Sequence, residues 1–259
     1  MTAVEAASVL VSSTEGVAVV TINRPHRRNA VDAATAALIA AAFDELDADP
    51  ELRVGVLTGA GGYFSAGMDL RAYAETGDRP VDARRGGFGI VGRPPRKPLI
   101  AAVEGPALGG GFEIALACDL IVAGESAVFG LPEVRRGLVA SGGGMLRLPE
   151  RIPRNLATEA VLTGRPFSAA RCAELGLVNA VVPDGDALRA ARELAAEIAA
   201  NAPLAVQASK AVMGAAPDWT AAERFARQEE LIGPVRASAD AQEGARAFAE
   251  KRPPRWQGR

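Results

Sequence analysis

The stretch LIAAVEGPALGGGFEIALACDLIVA, residues 99–123, decides the fold. Its first five residues form a short apolar run typical of a buried strand, and residues 119–123 form a second one. Between them, a glycine cluster at 109–111 opens an apolar stretch at 112–117 that favours a helix. This alternation of strand, glycine turn, helix and strand predicts an α/β fold with largely parallel strands.

Regular elements precede this stretch. Two β-rich runs, at residues 9–11 and 17–22, surround a turn at 14–16 and predict a hairpin. Asp32 is a typical N-cap for a following helix, and residues 54–58 are expected to form a buried strand. The helix is indicated by apolar side chains at helical spacing: Leu38, Ile39, Ala42, Phe43 and Leu46.

The chain becomes helical towards its C-terminus. One helix is marked by Leu188, Ala191, Leu194 and Ile198; a second is expected to begin at Pro203, and a third to span residues 219–232. We therefore predict an α/β core at residues 1–200 and a C-terminal helical segment at residues 201–259. Residues 72–98 lack clear periodicity and are rich in glycine, arginine and proline, so we expect them to form a lid or a pocket wall.

Composition limits the classes of function. The 259 residues are 49% hydrophobic and 23% charged, enough for one compact domain with an appended helical segment. The formal net charge of −2 provides no basic field, so neither a nucleic acid nor an anionic membrane surface is an expected partner. No apolar run approaches the roughly 20 residues that span a bilayer, and residues 1–10 do not read as a leader, so a cytoplasmic location is expected.

Few residues are available for metal or thiol chemistry. His26 is the single histidine, which argues against most histidine-containing metal sites and against a catalytic histidine pair. Cys118 and Cys172 form no spaced cluster and are expected to be buried thiols. The sequence therefore predicts no metal site, and it directs attention to carboxylates and backbone dipoles.

The glycine clusters do not match the common phosphate-binding or nucleophile motifs. Reading G-x-G-x-x-G from Gly109 requires glycine where the chain has Ile114, no Gly-Lys pair exists, and no serine stands in G-x-S-x-G. Glycines also allow backbone N–H groups to approach a ligand oxygen, and two converging donors would form an oxyanion hole. Residues 65–69 and 109–111 are the two candidates, although each cluster alone is better explained by a turn or a close packing contact.

Read with their flanks, these clusters resemble the crotonase superfamily. The resemblance rests on YFSAGMDL at 63–70, EGPALGGGFE at 104–113, ACD at 117–119 and FGLPE at 129–133, in this order and at this spacing. Shorter matches are NRP at 23–25, LTG at 162–164, ELGLV at 174–178 and EKR at 250–252. The similarity therefore covers nearly the whole chain.

The resemblance implies a fold and a ligand. We expect a crotonase-like α/β fold of repeated ββα units, whose C-terminal helical segment assembles homotrimers or dimers of trimers. The expected ligand is an acyl-CoA thioester whose carbonyl oxygen lies between the backbone N–H groups of Met68 and Gly110. No separate cofactor is implied, because coenzyme A is part of the substrate.

The resemblance also implies the residues that contact coenzyme A. They are Arg24, Arg28 and Ala30 near the nucleotide, Ala66, Asp69, Leu70 and Arg71 along the pantetheine, and Lys251 reaching a neighbouring subunit. Three consecutive basic residues, His26, Arg27 and Arg28, would suit phosphates, but in a loop they are often merely solvated. A surface ion pair is the alternative for Lys251.

Glu113 and Glu133 occupy the two positions where hydratases of this superfamily carry glutamates. They predict addition of water to a trans-2-enoyl-CoA to give a 3-hydroxyacyl-CoA, with Glu133 transferring the proton at Cα and Glu113 handling the water. One alternative is an enoyl-CoA isomerase in which Glu133 acts alone. Another is a non-catalytic crotonase-fold protein that binds RNA or acts as a scaffold, which the net charge and the glutamate pair disfavour. Met68, bulkier than the alanine frequent at its position, and Arg135 and Arg136 depart from the hydratase pattern.

Overall fold

The computed structural model describes residues 7–259. The strands are β1 Val9–Thr14, β2 Val17–Ile22, β3 Val54–Gly59, β4 Val81–Asp82, β5 Gly86–Gly87, β6 Leu99–Val103, β7 Pro106–Leu108, β8 Leu120–Gly124, β9 Val128–Gly130, β10 Phe167–Ser168 and β11 Ala180–Val182. The α-helices are α1 Ala33–Ala48, α2 Leu70–Thr76, α3 Gly110–Ala117, α4 Gly144–Arg151, α5 Arg154–Thr163, α6 Ala169–Glu174, α7 Ala187–Ala199, α8 Pro203–Ala215, α9 Arg224–Arg236 and α10 Ala239–Ala249. Short 3-10 helices lie at Pro25–Arg27, Pro132–Arg136 and Ala216–Asp218.

Six strands form the main sheet, in the order β1-β2-β3-β6-β8-β11. The β1–β2 pair is the predicted antiparallel hairpin, and every other neighbouring pair is parallel. A second sheet, β10-β9-β7, pairs β7 with β9 in parallel and β9 with β10 antiparallel. The α/β fold and the strand–turn–helix–strand reading of residues 99–123 are confirmed.

The main sheet is covered on both faces. On β2, Val17 and Val19 face the cluster that contains α7, whereas Val20 and Ile22 face the larger cluster that contains α1 and α3. The buried residues of α7 are alanines at four-residue spacing, whose small side chains let the helix lie close to the strands: Ala187, Ala191, Ala195 and Ala199. The predicted Leu188, Leu194 and Ile198 pack beside them and are only partly buried. Both thiols, at Cys118 and Cys172, are buried and free, as expected.

Helix α1 follows the predicted pattern with one exception. The Asp32 side chain accepts a hydrogen bond from the backbone N–H of Thr35 at 2.8 Å, which caps the helix. Ile39, Phe43 and Leu46 are buried, but Leu38 is 45% exposed and does not join the core. The adjacent Ile39 already faces the sheet, so the apolar stripe is narrower than the spacing suggested.

The third C-terminal helix begins later than predicted. Residues 219–223 precede α9, because the 3-10 turn at Ala216–Asp218 ends at Trp219 and the carbonyl of Thr220 accepts bonds from Glu223 and Arg224. Helix α9 then continues past residue 232 to Arg236, and a fourth helix, α10, is capped by Ser238. No residue of α8 or α9 is buried, so these helices add little to the core of one chain.

Three further predictions concern the segment boundary, the region at residues 72–98 and membrane-spanning helices. The boundary at residue 200 remains a prediction, although Lys210 of α8 joins the body by an ion pair with Asp119 at 2.6 Å. Residues 72–98 contain the end of α2, the β4–β5 hairpin and a loop that Arg85 fastens to α1. Within residues 7–259, no helix has both the length and the apolar character that a membrane span requires.

Candidate active site

A cavity of about 1280 Å³ opens where the loops that follow several strands meet. Its walls come from residues 26–30, 66–73, 79–91, 108–113 and 132–142, which are far apart in the sequence. Both glycine clusters and both glutamates therefore reach one site. The region predicted as a lid or pocket wall supplies one side of it.

Two unpaired backbone donors line this cavity. Met68 lies opposite Val31. The N–H of Val31 donates to the Gly67 carbonyl at 2.8 Å, and the Val31 carbonyl accepts from the Asp69 N–H at 2.9 Å. Both bonds go to the neighbours of Met68, and the N–H of Met68 itself has no acceptor among residues 7–259. Gly110 is the first residue of α3, where an N–H has no partner within the helix, and it too bonds no described acceptor.

Gly67 brings the two donors together. Its φ of +83° lies in the left-handed region that glycine adopts without strain, and a Cβ there would stand 2.6 Å from the nitrogen of Gly110. Gly111 is equally constrained, because a Cβ there would lie 1.9 Å from the carbonyl oxygen of Ser65. The glycines are thus needed for close approach, and the arrangement can hold a carbonyl oxygen between two N–H groups.

Glu113 lies one turn after Gly110 on the same helix and is only 3% exposed. Its Oε1 accepts a hydrogen bond from the backbone N–H of Gly144 at 2.9 Å. A Cβ on Gly142 would stand 2.5 Å from Oε2, so the glycine run at 142–144 lets backbone surround the carboxyl group. Burial, and then repulsion from Glu133, raise the pKa of Glu113 although the Gly144 N–H opposes them.

Glu133 comes from the 3-10 helix after β9 and lines the same cavity as the donors. Its Oε2 is buried and has no hydrogen-bond partner, and Oε1 lies 3.2 Å from the position that a Cβ on Gly109 would take. Burial raises the pKa of Glu133, partly offset by a backbone hydrogen bond and the charge of Arg136. A buried carboxyl oxygen without a partner is free to bond a water or a substrate.

Most predicted coenzyme A contacts line the same cavity. They are Arg28, Ala30, Ala66, Asp69, Leu70 and Arg71, together with His26 and Arg27. The guanidinium of Arg28 lies 5.9 Å from the ring centre of Tyr63, and Nη1 of Arg27 is buried without a hydrogen-bond partner. Arg27 is therefore a stronger candidate anion contact than its loop position suggested.

The structure does not bring Arg24 or Lys251 to this cavity. Lys251 is exposed beyond α10, so its expected contact with a neighbouring subunit stays a prediction. The guanidinium of Arg24 pairs with Asp32 at 2.8 Å and with Asp69 at 3.1 Å, and it also bonds the carbonyl of Ala30. Arg24 thus acts within the wall, by positioning two predicted coenzyme A contacts.

Asp69 links this ion pair to helix α2. Its Oδ1 accepts hydrogen bonds from the N–H groups of Arg71 and Ala72, both at 3.1 Å, and so caps the helix. Burial works against the charge of Asp69, but the Ala72 N–H and the Arg24 guanidinium outweigh it, and the pKa of this carboxyl is lowered. The chain direction from Met68 into α2 therefore depends on an ionised Asp69.

Sequence reasoning missed two contributors to the site. Gly144 lies in a glycine run for which the sequence predicts no contact, yet its N–H holds Glu113. Phe88 carried no sequence signal beyond its glycine-rich surroundings, yet its ring lines the cavity beside Gly110. Within residues 7–259, no three His, Cys, Asp or Glu side chains are grouped as a metal site would require.

Comparison with known proteins is consistent with this architecture. Residues 12–259 match the family model described as enoyl-CoA hydratase/isomerase. An enoyl-CoA hydratase of Mycobacterium tuberculosis is 47% identical over 249 residues, 93% of each chain, and a carnitinyl-CoA dehydratase of Salmonella typhi is 45% identical, over 93% of this chain and 94% of the relative. The crystal structure of an enoyl-CoA hydratase from Mycobacterium marinum superposes with a TM-score of 0.95 at 55% identity, covering 97% of this chain and 99% of that one. The chain belongs to the enoyl-CoA hydratase/isomerase family and has the crotonase fold.

Proposed function

We propose that the protein hydrates a trans-2-enoyl-CoA to a 3-hydroxyacyl-CoA. The observation that carries the proposal is that two carboxyl groups, the buried Glu113 and the half-buried Glu133, line the same cavity as two unpaired N–H donors. Addition of water to a conjugated thioester needs a polarised carbonyl, a group that accepts a proton from water and a group that donates one to Cα. The cavity offers each of these. It also offers Arg27 and Arg28 for the phosphates of coenzyme A, and no other cofactor is required.

The hydrogen bonds of the two glutamates favour different roles. Glu113, with the Gly144 N–H on Oε1, suits the ionised acceptor that takes a proton from water while the oxygen bonds Cβ. The electron pair of the double bond moves to the thioester oxygen, held by the N–H groups of Met68 and Gly110. Glu133, whose Oε2 has no donor, suits the protonated acid that then supplies the proton to Cα. The proton gained by Glu113 and lost by Glu133 is exchanged with solvent, which completes the balance.

Substituting the glutamates tests this proposal. Purified protein given trans-2-butenoyl-CoA should remove the ultraviolet absorbance of the conjugated thioester. Glu133→Gln and Glu113→Gln should each lower kcat by roughly 10²–10⁴-fold, because each removes a proton-transfer group. Glu125→Gln, at an exposed position outside the cavity, is the matched control and should leave kcat unchanged. Full activity of Glu133→Gln would refute the assignment.

The isomerase reading makes a different prediction. An isomerase needs one carboxyl group, so Glu113→Gln would retain conversion of a trans-3-enoyl-CoA to the conjugated isomer, which raises the absorbance. The close backbone packing around the Glu113 carboxyl group would then have no catalytic purpose. The Gly144 hydrogen bond and the packing of Gly142 against this carboxyl favour the two-carboxyl reaction.

Relatives named carnitinyl-CoA dehydratase raise a second candidate, since a carnitinyl group carries a trimethylammonium cation. Here Arg79 and Arg136 line the cavity, and neither forms an ion pair within the described chain. Arg79 donates a hydrogen bond to Ser141, next to the glycine that packs on Glu113. Two guanidinium groups without ion-pair partners in the cavity wall would repel a trimethylammonium group, so they disfavour a cationic acyl group. We expect trans-2-butenoyl-CoA to be hydrated with a higher kcat/KM than its 4-trimethylammonio derivative.

A further inference from the structure

Phe88 has an unusual backbone conformation beside the glutamates. Its φ of +56° lies in the left-handed region, where a bulky side chain is strained. The loop imposes this conformation: the N–H of Phe88 bonds the Pro80 carbonyl at 2.6 Å, and the next residue, Gly89, packs so tightly on α1 that a Cβ would lie 2.1 Å from the Ala36 oxygen. The ring therefore has a defined position.

A buried arginine anchors the same loop. Arg85 is 2% exposed; its Nε bonds Asp44 at 2.8 Å and its Nη2 bonds Asp47 at 2.9 Å, both on α1. Its Nη1 bonds the carbonyl of Arg93 at 3.0 Å, on the far side of Phe88. Arg85 thus ties the segments before and after Phe88 together and to α1, which fixes the backbone from which the ring projects.

The ring is directed at the reacting end of the cavity. Its Cζ lies 2.2 Å from the position that a Cβ on Gly110 would take, so the ring packs on the residue that supplies one of the two free N–H groups. Its Cε2 lies 3.0 Å from the corresponding position on Gly142, and Oε2 of Glu113 lies 2.5 Å from that same position. One face of the reacting group is therefore bounded by an aromatic ring that is itself 8% exposed.

We propose that Phe88 is a specificity-determining residue whose ring closes the space beside the double bond and excludes a substituent on Cβ. The inference rests on the proposed function. When the thioester oxygen is held at the N–H of Gly110, Cα lies two bonds and Cβ three bonds from that oxygen, and both are within reach of the ring. Water delivered by Glu113 must approach Cβ on this side, so a methyl group on Cβ competes with the ring for the same volume. A single methyl group in a rigid apolar pocket changes selectivity by about ten- to two-hundredfold.

The test compares an unbranched with a Cβ-branched substrate. The kcat/KM for trans-2-butenoyl-CoA divided by that for 3-methyl-2-butenoyl-CoA should fall about tenfold in Phe88→Gly, because the branched substrate gains room. Glycine removes the ring and also relieves the positive φ, so the loop should keep its course. Phe88→Leu keeps most of the volume and should retain most of the selectivity. Comparing the ratio between variants cancels the intrinsic difference in reactivity of the two substrates.

A binding measurement separates this proposal from the proposed function. Butanoyl-CoA and 3-methylbutanoyl-CoA lack the double bond, so their Kd values, measured by calorimetry, do not depend on hydration. If neither enoyl-CoA is hydrated but the Kd for 3-methylbutanoyl-CoA divided by that for butanoyl-CoA falls in Phe88→Gly, the function fails and the role of Phe88 stands. If both are hydrated and neither ratio changes in either variant, the role of Phe88 is overturned. Should Phe88→Gly not fold, an unchanged ratio in Phe88→Asn, whose smaller side chain tolerates a positive φ, would overturn it equally.

Discussion

The carboxyl group of Glu113 combines deep burial with a position next to a second carboxyl group. Burial and Glu133 raise its pKa above the ordinary value of 4.5, and the Gly144 N–H only partly compensates. Between the unfolded and the folded pKa, the folded chain binds more protons than the unfolded chain, so the free energy of unfolding falls as the pH rises through this interval. At neutral pH the ionised side chain therefore destabilises the fold that needs it.

Glu113→Gln should show that the charge of Glu113 lowers the stability of the fold. The amide oxygen can still accept the Gly144 N–H, whereas the charge is gone, so the Tm of the variant relative to wild type should be higher at pH 8 than at pH 4. A relative gain of roughly 2–4 °C corresponds to about 1 kcal/mol for a chain of this size. Thermal unfolding followed by circular dichroism measures it. Glu125→Gln, fully outside the cavity, should show no such pH dependence, and a Tm difference for Glu113→Gln that decreases from pH 4 to pH 8 would contradict the argument.

At the scale of elements, the β4–β5 hairpin and the loop after it depend on adjacent arginines in opposite environments. Arg84 is 54% exposed and pairs with Asp44 and Asp82, while Arg85 is 2% exposed and bonds Asp44, Asp47 and the Arg93 carbonyl. An exposed ion pair adds little to stability, but removing one member of a buried pair leaves its partners without compensation. The wall of the cavity therefore depends on the buried Arg85 and little on the exposed Arg84.

Matched substitutions separate the two arginines. Arg85→Met should lower the free energy of unfolding by about 3 kcal/mol, whereas Arg84→Met should lower it by less than about 1 kcal/mol. Urea unfolding at constant m-value measures both. Because Arg85 also holds the loop that carries Phe88, Arg85→Met should lower kcat/KM in the protein that remains folded. Equal losses of stability in the two variants would show that burial of Arg85 does not matter.

At the scale of the whole molecule, the C-terminal helices are poorly covered within one chain. Met213 is 70% exposed, Phe225 75% and Phe248 88%, although all three are apolar. These are the side chains that a subunit interface on the C-terminal helices would bury. The family resemblance supplies the expected partner, further copies of the same chain in a homotrimer or a dimer of trimers.

Sedimentation should test this assembly. With a chain mass of 26.7 kDa, the protein at micromolar concentration should sediment as three or six chains. Phe225→Arg combined with Phe248→Arg should shift the mass towards one chain, because two charges would be buried at the interface without partners. Val11→Arg, at a 50% exposed position on β1, is the control and should leave the mass unchanged. A wild-type protein that sediments as a single chain would refute the trimer.

The sequence alone predicted the main elements of the fold and the residues of the candidate site. The alternation around residues 99–123, the cap at Asp32 and the existence of helix α7 depend on neighbours within about one or two turns, so local patterns predicted them. The buried face of α7 was predicted less well, because only Ala191 of its four buried alanines belongs to the predicted stripe. The motif resemblance also identified Met68, Gly110, Glu113 and Glu133, which the structure brings to one cavity. Their identification rests on the resemblance, because two glutamates twenty residues apart carry no meaning by spacing alone in a chain with 31 acidic residues.

Only the tertiary structure decided how the site is supported. Arg24, expected at coenzyme A, bonds Asp32 and Asp69 instead, and Glu113 is held by Gly144, thirty-one residues away. Phe88 reaches Gly110 only because Arg85 fastens its loop to a helix some forty residues earlier. Such contacts join segments that no local pattern relates, since they form when the whole chain closes and buried polar groups must find partners wherever the fold places them.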